Sequence, residues 1–209
     1  MHPEQTNRDT RAHILNTAKR LFLNTGYHKV SMRMLAKEAG ISTGPLYFHF
    51  KNKPEVFYAI CCEGLELLNA DVSRAAAAKL PHALRLREIF LAFQNFYIRE
   101  PLYSQIIRVS FNPLSGIEFN ERQREALFAK KQAHMLTMKE VIREGIEKGE
   151  LQNIDPSRFM LVLYTLGEGI FMANENGDLQ RFGVSLEEMV QEASRLTYTG
   201  ILSAHGGDR

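Results

Sequence analysis

The stretch Ala39-Gly40-Ile41-Ser42-Thr43-Gly44-Pro45-Leu46-Tyr47-Phe48-His49-Phe50 decides how the rest of the chain is read. Gly40 can take a positive φ, so it ends one short helix and turns the backbone sharply. Ser42 is placed to cap a second short helix. Counted from that cap, Pro45 is the third helical residue, where proline is tolerated because first-turn N–H groups have no helical partner. Pro45 offers no N–H to the Ser42 hydroxyl, which must reach the Gly44 N–H instead, or a phosphate. Leu35, Ile41, Leu46 and Phe50 are the expected core of a small domain. What remains on the second helix is a hydroxyl, a glycine, a phenol and an imidazole. A helix too short to stand alone, fed by a glycine turn from another short helix, has the form of a major-groove reader.

Outward from this segment, nearly every apolar pattern has helical period. Ile14, Leu15, Ala18, Leu21 and Phe22 predict a first helix from about Thr10 to Thr25, stopped by Gly26-Tyr27. Ser31 caps a second, Met32 to Ala39, and Ser42 the third. Asn52, with Glu55 three residues on, predicts a capping box that opens a long fourth helix. Its inner face carries Phe57, Ile60, Cys61, Gly64, Leu68 and Val72, and Pro81 ends it. A fifth helix stops before Pro101 and a sixth runs from Leu102 to about Phe111. After the loop Asn112-Pro113-Leu114-Ser115-Gly116, a seventh covers about Glu118 to Lys148. Asp155-Pro156 opens the eighth. Ser185, with Glu188 three on, caps the ninth, which reaches Ile201; the tail from Ala204 is expected to fray. No strand pattern is found. The expected fold class is all-α, with about nine helices.

The chain has 209 residues, 44% of them hydrophobic, enough for one large or two modest cores. No run is long and charge-free enough to span a bilayer, and the N-terminus lacks the basic and apolar regions of a signal peptide. A cytoplasmic protein without membrane contact is expected. The net charge of +2 hides an asymmetry: residues 1–60 hold nine Lys/Arg against four Asp/Glu, the remainder seventeen against twenty. The basic excess falls on the segment with the opening motif, as a polyanion partner requires. Cys61 and Cys62 are adjacent, which excludes a disulfide framework; they read as helix thiols, with a redox sensor the alternative. No His/Cys/carboxylate cluster has metal spacing, so neither a metal nor another cofactor is expected.

Residues 10–57 resemble the DNA-binding domain of the tetracycline-repressor (TetR) family of bacterial regulators. The matching residues are Ile14-Leu15, Ala18, Leu21-Phe22, Gly26-Tyr27, Ser31, Leu35-Ala36, Ala39-Gly40-Ile41-Ser42, Gly44, Leu46-Tyr47, His49-Phe50 and Lys53. The resemblance implies a DNA-binding domain at 1–52 and an effector-binding and dimerisation domain at 53–209. It assigns Tyr47, His49 and Lys53 to phosphates and Thr43 and Gly44 to bases, with Met32-Arg33 as a second reader. Ser31 and Ser42, at helix N-termini, suit phosphate on physical grounds as well. The implied partner is a palindromic double-stranded DNA operator, since a homodimer presents two readers one helical turn apart.

For the larger region the resemblance implies a small-molecule effector. An apolar or flat ligand would suit Phe90, Phe93, Phe96, Tyr97, Tyr103, Ile107, Phe111, Phe128, Met135 and Met138, with Gln94, Asn95, Arg108, His134 and Glu168 as polar candidates. For each aromatic taken singly, ordinary core packing is the better explanation. The eighth helix is apolar all round, as a helix buried on two sides would be. Phe159, Leu163, Leu166 and Ile170 on it, with Met189, Ala193, Leu196 and Ile201 on the ninth, are the candidate dimer contacts; the alternative is the central helix of a monomer. An enzyme is not expected, because no nucleophile–base pair, paired carboxylates or phosphate loop is present. Glu168, between Gly167 and Gly169, is the one odd carboxylate. The expected function is a transcriptional regulator, a repressor released by its ligand, with an effector-free DNA-binding dimer as the alternative.

Overall fold

The computed structural model describes residues 3–201, with side chains from 7 to 200. Among the described residues ten α-helices follow one another: α1 (Pro3–Thr25), α2 (Met32–Glu38), α3 (Thr43–His49), α4 (Lys53–Ala76), α5 (His82–Arg99), α6 (Pro101–Phe111), α7 (Glu121–Glu147), α8 (Pro156–Glu175), α9 (Asp178–Arg181) and α10 (Leu186–Ile201). Two 3-10 turns, Tyr27–Lys29 and Pro113–Ser115, lie between helices. No strand occurs among the described residues. The all-α expectation holds, with one helix more than the nine anticipated. The extra one is α9, a single turn opened by Gly177 in the left-handed region. The expected frayed tail lies outside the described residues.

Local chemistry explains the element ends. Asp155 accepts from the Arg158 N–H at 2.7 Å to start α8, with Pro156 in its first turn. Ser185 and Glu188 form a reciprocal capping box at α10: Glu188 N–H donates to Ser185 Oγ, and Ser185 N–H to Glu188 Oε2. At α4 the box is displaced by one residue. Glu55 N–H donates to Asn52 Oδ1 at 2.9 Å, but the Glu55 carboxylate takes the N–H of Lys51 rather than of Asn52.

The chain divides into two compact units, Met1–Glu66 with Glu100–Ala129, and Leu67–Arg99 with Lys130–Arg209. Packing thus groups α6 and the start of α7 with the first sixty-six residues. In the first unit Ile14, Leu15, Ala18 and Phe22 of α1 are buried with Leu35, Ala36, Leu46, Phe50, Phe57 and Ile60. Lys19, a charge on the inner face of α1, is buried as well. Its ammonium donates to the Tyr103 hydroxyl of α6 at 2.6 Å, and burial pulls its pKa down. In the second unit α5 packs against α8 and α10, around Leu86, Ile89, Phe90, Phe93, Leu163, Ile170, Val190 and Ala193.

Candidate nucleic-acid interface

The link between α2 and α3 is a two-bond helix stop. The Ile41 N–H donates to the Ala36 carbonyl at 3.0 Å and the Gly40 N–H to that of Lys37 at 3.1 Å, with Gly40 at φ +64°. This satisfies the last carbonyls of α2 and needs the left-handed conformation that glycine adopts without strain. From α1, His13 Nε2 donates to the Ala39 carbonyl at 2.9 Å, which ties the turn to the first helix. Arg11 of α1 lies over the Phe50 ring, 5.4 Å from its centroid.

On α3, Leu46 and Phe50 point inward and are buried, whereas Thr43 and Gly44 are exposed. Tyr47 is 50% exposed and Phe48 75%. Gly44, Tyr47 and Phe48 are spaced i, i+3, i+4, so they form one outward stripe. Phe48 was missing from the sequence-derived set. Helical spacing from Gly44 would have found it, because an inward Leu46 and Phe50 leave position 48 no place in the core. A Cβ added at Gly44 would meet nothing within 4 Å, and its φ is not positive. Nothing inside the protein therefore requires glycine there.

Ser42 is the N-cap of α3 with extended backbone, but its side chain makes no cap hydrogen bond. Of the two partners expected for its hydroxyl, the Gly44 N–H is not used. Pro45 has removed the N–H that a serine cap would otherwise take, and the hydroxyl stays on the exposed rim. Ser31 does cap α2, accepting from the Met34 N–H at 3.2 Å; its own hydrogen is still a donor. Arg33 is exposed on the first turn of α2. His49 is half-buried between Phe48 and Phe50, and burial, then Arg11, lower its pKa. Its ring can donate an N–H to a phosphate.

Lys53 stands differently from its expected phosphate role. Its ammonium donates to the Tyr27 carbonyl at 2.8 Å and to that of His28 at 3.4 Å, and lies 4.3 Å from the Tyr27 ring centroid. Lys53 thus fastens the start of α4 to the turn after α1. The carbonyls of that 3-10 turn face the start of α4 and capture the charge.

The candidate effector residues fall in both units. Tyr103, Ile107, Phe111 and Phe128 belong to the first. There Tyr103 and Ile107 pack closely on Gly64, and Phe128 is exposed. Phe90, Phe93, Phe96, Tyr97, His134, Met138 and Glu168 belong to the second, all buried except the half-buried Glu168. Phe90 borders a crevice of only about 10 Å³ with Leu86, Phe159 and Leu163, so it is a packing residue. Around Phe93 the ring neighbours are Tyr97, His134 and Tyr164, at 4.9, 5.6 and 5.9 Å between centroids. Tyr97 stacks on Phe171 at 4.4 Å and donates its hydroxyl to Glu168 at 2.6 Å.

The candidate dimer residues also divide. Leu163, Ile170 and Ala193 are buried within their own unit, and of the three only Ile170 also borders the open groove on α8. Phe159 is half-buried, Leu196 is exposed, and the side chain of Ile201 lies outside those described. On α8 the outward residues are Leu161, Val162, Thr165, Leu166 and Gly169. With Met189 of α10 they line an open apolar groove of about 530 Å³. The helix is apolar all round, but one of its faces is buried within the chain and the other is open.

Comparison with known proteins follows the same division. Residues 14–60 match the family model described as bacterial regulatory proteins, tetR family. The HTH-type transcriptional activator FasR of Mycolicibacterium smegmatis is 26% identical over 145 residues, 62% of this chain and 66% of its own. The fatty acid metabolism regulator protein of Bacillus subtilis is 24% identical over 143 residues, 66% of this chain and 69% of its own. The alignments thus span about two thirds of these curated relatives. Among solved structures, AibR in complex with isovaleryl coenzyme A and operator DNA shares the fold. Its TM-score is 0.70 at 20% identity, over 90% of this chain and 97% of that one.

Proposed function

We propose that this chain, whose residues 14–60 match the tetR family of bacterial regulatory proteins, is a homodimeric repressor of that family, held on a palindromic operator through residues 1–52 and released when a small molecule binds within residues 53–209. The observation that carries the DNA contact is the outward stripe of α3. Thr43 and Gly44 meet base edges at the helix N-terminus, and Phe48 lies against sugar or a thymine methyl. Tyr47, His49, Ser31 and Ser42 hold phosphates, and Arg33 is a second reader. Lys53 supports the interface from inside. The open groove on α8 supports the homodimer, with Val162, Leu166, Ile170 and Met189 as central contacts.

Release requires that the effector bind one conformation better than the other. A hundredfold loss of operator affinity needs about 2.8 kcal/mol of that difference. α4 begins in the first unit and ends in the second, so a shift of its C-terminal half is carried toward the reading helix. AibR, with isovaleryl coenzyme A and DNA in one crystal, supports a ligand-responsive reading. The tight packing around Phe90 favours a second reading, a DNA-binding dimer without effector.

The test begins with a duplex selected from a random pool by the protein. Its affinity is then measured by fluorescence anisotropy with and without molecules extracted from the purified protein. A fall in affinity supports the repressor, and a rise supports activation, as the name of FasR describes for that protein. No change with any molecule that binds the second unit leaves the effector-free dimer.

A further inference from the structure

The second unit contains polar groups that its own chain does not satisfy. Gln94 of α5 is 0% exposed, and neither its amide nitrogen nor its amide oxygen has a hydrogen-bond partner. That holds whichever way the amide is turned. His134 of α7 is 3% exposed, and its Nε2 likewise has none. Buried polar groups in native proteins are seldom left in this condition, and each one calls for an explanation.

The His134 tautomer follows from its neighbour. Asn69 donates through Nδ2 to the Lys130 carbonyl at 2.9 Å, so its Oδ1 is the atom facing His134 Nδ1 at 3.3 Å. Oδ1 can only accept, so Nδ1 carries the proton and Nε2 presents a bare lone pair. Burial, with the Lys131 charge second, pushes the imidazole down to about 4. It is therefore neutral at physiological pH.

Phe93 lies beside both groups. Its ring is 5.6 Å from that of His134. A Cβ built on Gly167 would come within 3.0 Å of the Phe93 ring and within 2.6 Å of Gln94 Nε2. Glycine at 167 is what leaves room for that amide against α8. Tyr97 and Tyr164 complete an aromatic surround. The formal charges nearby are matched: the Tyr97 hydroxyl donates to Glu168, and the Lys131 and Glu168 charges act on each other. What stays open is neutral: an amide N–H, an amide carbonyl and an imidazole lone pair.

We propose that Gln94 and His134 are the recognition point for the polar end of the effector, and that the effector is an uncharged molecule with an apolar or aromatic body and an amide or hydroxyl group that both donates and accepts. This rests on the effector-responsive reading above. The ligand N–H or O–H donates to His134 Nε2, and its oxygen accepts from Gln94 Nε2. A carboxylate brings no proton for the His134 lone pair and loses its hydration on entry. A ketone only accepts. An ammonium group leaves the Gln94 N–H unpaired and adds a charge to a region already balanced.

Benzamide, benzoate, benzylammonium, acetophenone and toluene keep one body and change the polar end. With the full chain and no DNA, isotope-edited NMR follows the Gln94 side-chain amide and the His134 ring nitrogens through each titration. Benzamide is expected to shift both and to bind at least about tenfold more tightly than the other four. Gln94→Leu and His134→Phe should each abolish that preference while toluene binding persists. If a variant fails to fold, the wild-type shifts decide alone. Preference for benzoate or benzylammonium overturns the assignment but leaves the effector reading standing. So does benzamide binding that moves other second-unit signals and not these two. Ordered waters on Gln94 and His134 that saturating benzamide does not displace mean a hydrated structural core, and also overturn it. Failure of every probe to bind overturns this proposal and counts against the effector reading too.

Discussion

Gly44→Ala separates what the fold needs from what the DNA needs. Position 44 is the second residue of α3, has no positive φ, and offers a new Cβ open space to 4 Å. Glycine in a helix costs about 0.5–1 kcal/mol relative to alanine, so the substitution should stabilise the free protein by that amount. For a chain of this size the gain corresponds to a rise in Tm of about 1–4 °C. On DNA the sign reverses. If the α3 backbone rests against base edges, an added methyl overlaps the groove, and forcing atoms into a packed contact costs about 1–3 kcal/mol. That is about fivefold to 150-fold in affinity per reading helix, and a homodimer places two on its operator. Urea denaturation reads the first effect, and anisotropy with the selected duplex reads the second. Unchanged DNA affinity would mean that the backbone at Gly44 does not approach DNA. A loss of stability would mean that the surroundings of Gly44 are misread. Only a more stable protein with weaker binding agrees with the proposal.

Tyr47→Ala should weaken binding to all sequences alike, whereas Thr43→Val should change sequence preference, as selection from a random pool would reveal. Affinity should fall steeply with salt, and Tyr47→Ala, which removes no charge, should leave the slope unchanged. Gly167→Ala should destabilise by about 1–2 kcal/mol, since the crowding of Gln94 and Phe93 outweighs the helix-propensity gain; Gly169→Ala, with open space around it, should not. Leu166→Asp on the open face of α8 should yield monomers by sedimentation and weaken operator binding, while denaturation shows the fold retained. Neutral His134 makes stability depend on pH: its folded pKa is about 4 and the unfolded value about 6.5. Between these values the unfolded chain binds more protons, so this contribution is complete above about pH 6.5 and lost as pH falls toward 4. It amounts to roughly 3 kcal/mol at most, and denaturation of wild type and His134→Gln at pH 4.5 and 7.5 would detect it.

The helix-turn-helix was legible because its signals are local. Gly40, Ser31 and the Ser42–Pro45 spacing act within four residues, and the structure realises the glycine turn and the Ser31 cap as chemistry requires. The start of α1 was placed seven residues late, because 3–9 are polar and carry no apolar period, yet they continue the helix. α9 escapes the sequence for another reason: its four residues, set between Gly177 and Gly183, are too few for any period to register. Lys53 shows the limit for a side chain. A lysine at a helix N-terminus reads as a phosphate ligand, but the carbonyls that capture it come from 25 and 26 residues earlier.

The same limit governs α8. Its apolar residues surround the helix, so the sequence contains no preference for which half turns inward. The choice is made by neighbours distant in the chain: α5 and α10 take Leu163, Gly167 and Ile170, and Val162, Leu166 and Gly169 are left outside. Gly167 and Gly169 are two residues apart and look equivalent, yet one admits the Gln94 amide to the core and the other borders an open groove. One helix can thus hold the two properties proposed for a ligand-released dimer on its two sides. A ligand that reorganises Gln94 and Phe93 pushes on the inner face of α8, and any rigid displacement of the helix moves its outer face as well. If the outer face is where two copies meet, effector and partner compete for one helix position, and covalently linking the α8 pair should reduce the effector's power to release DNA. Full release from a linked dimer would assign the transmission to α4 alone.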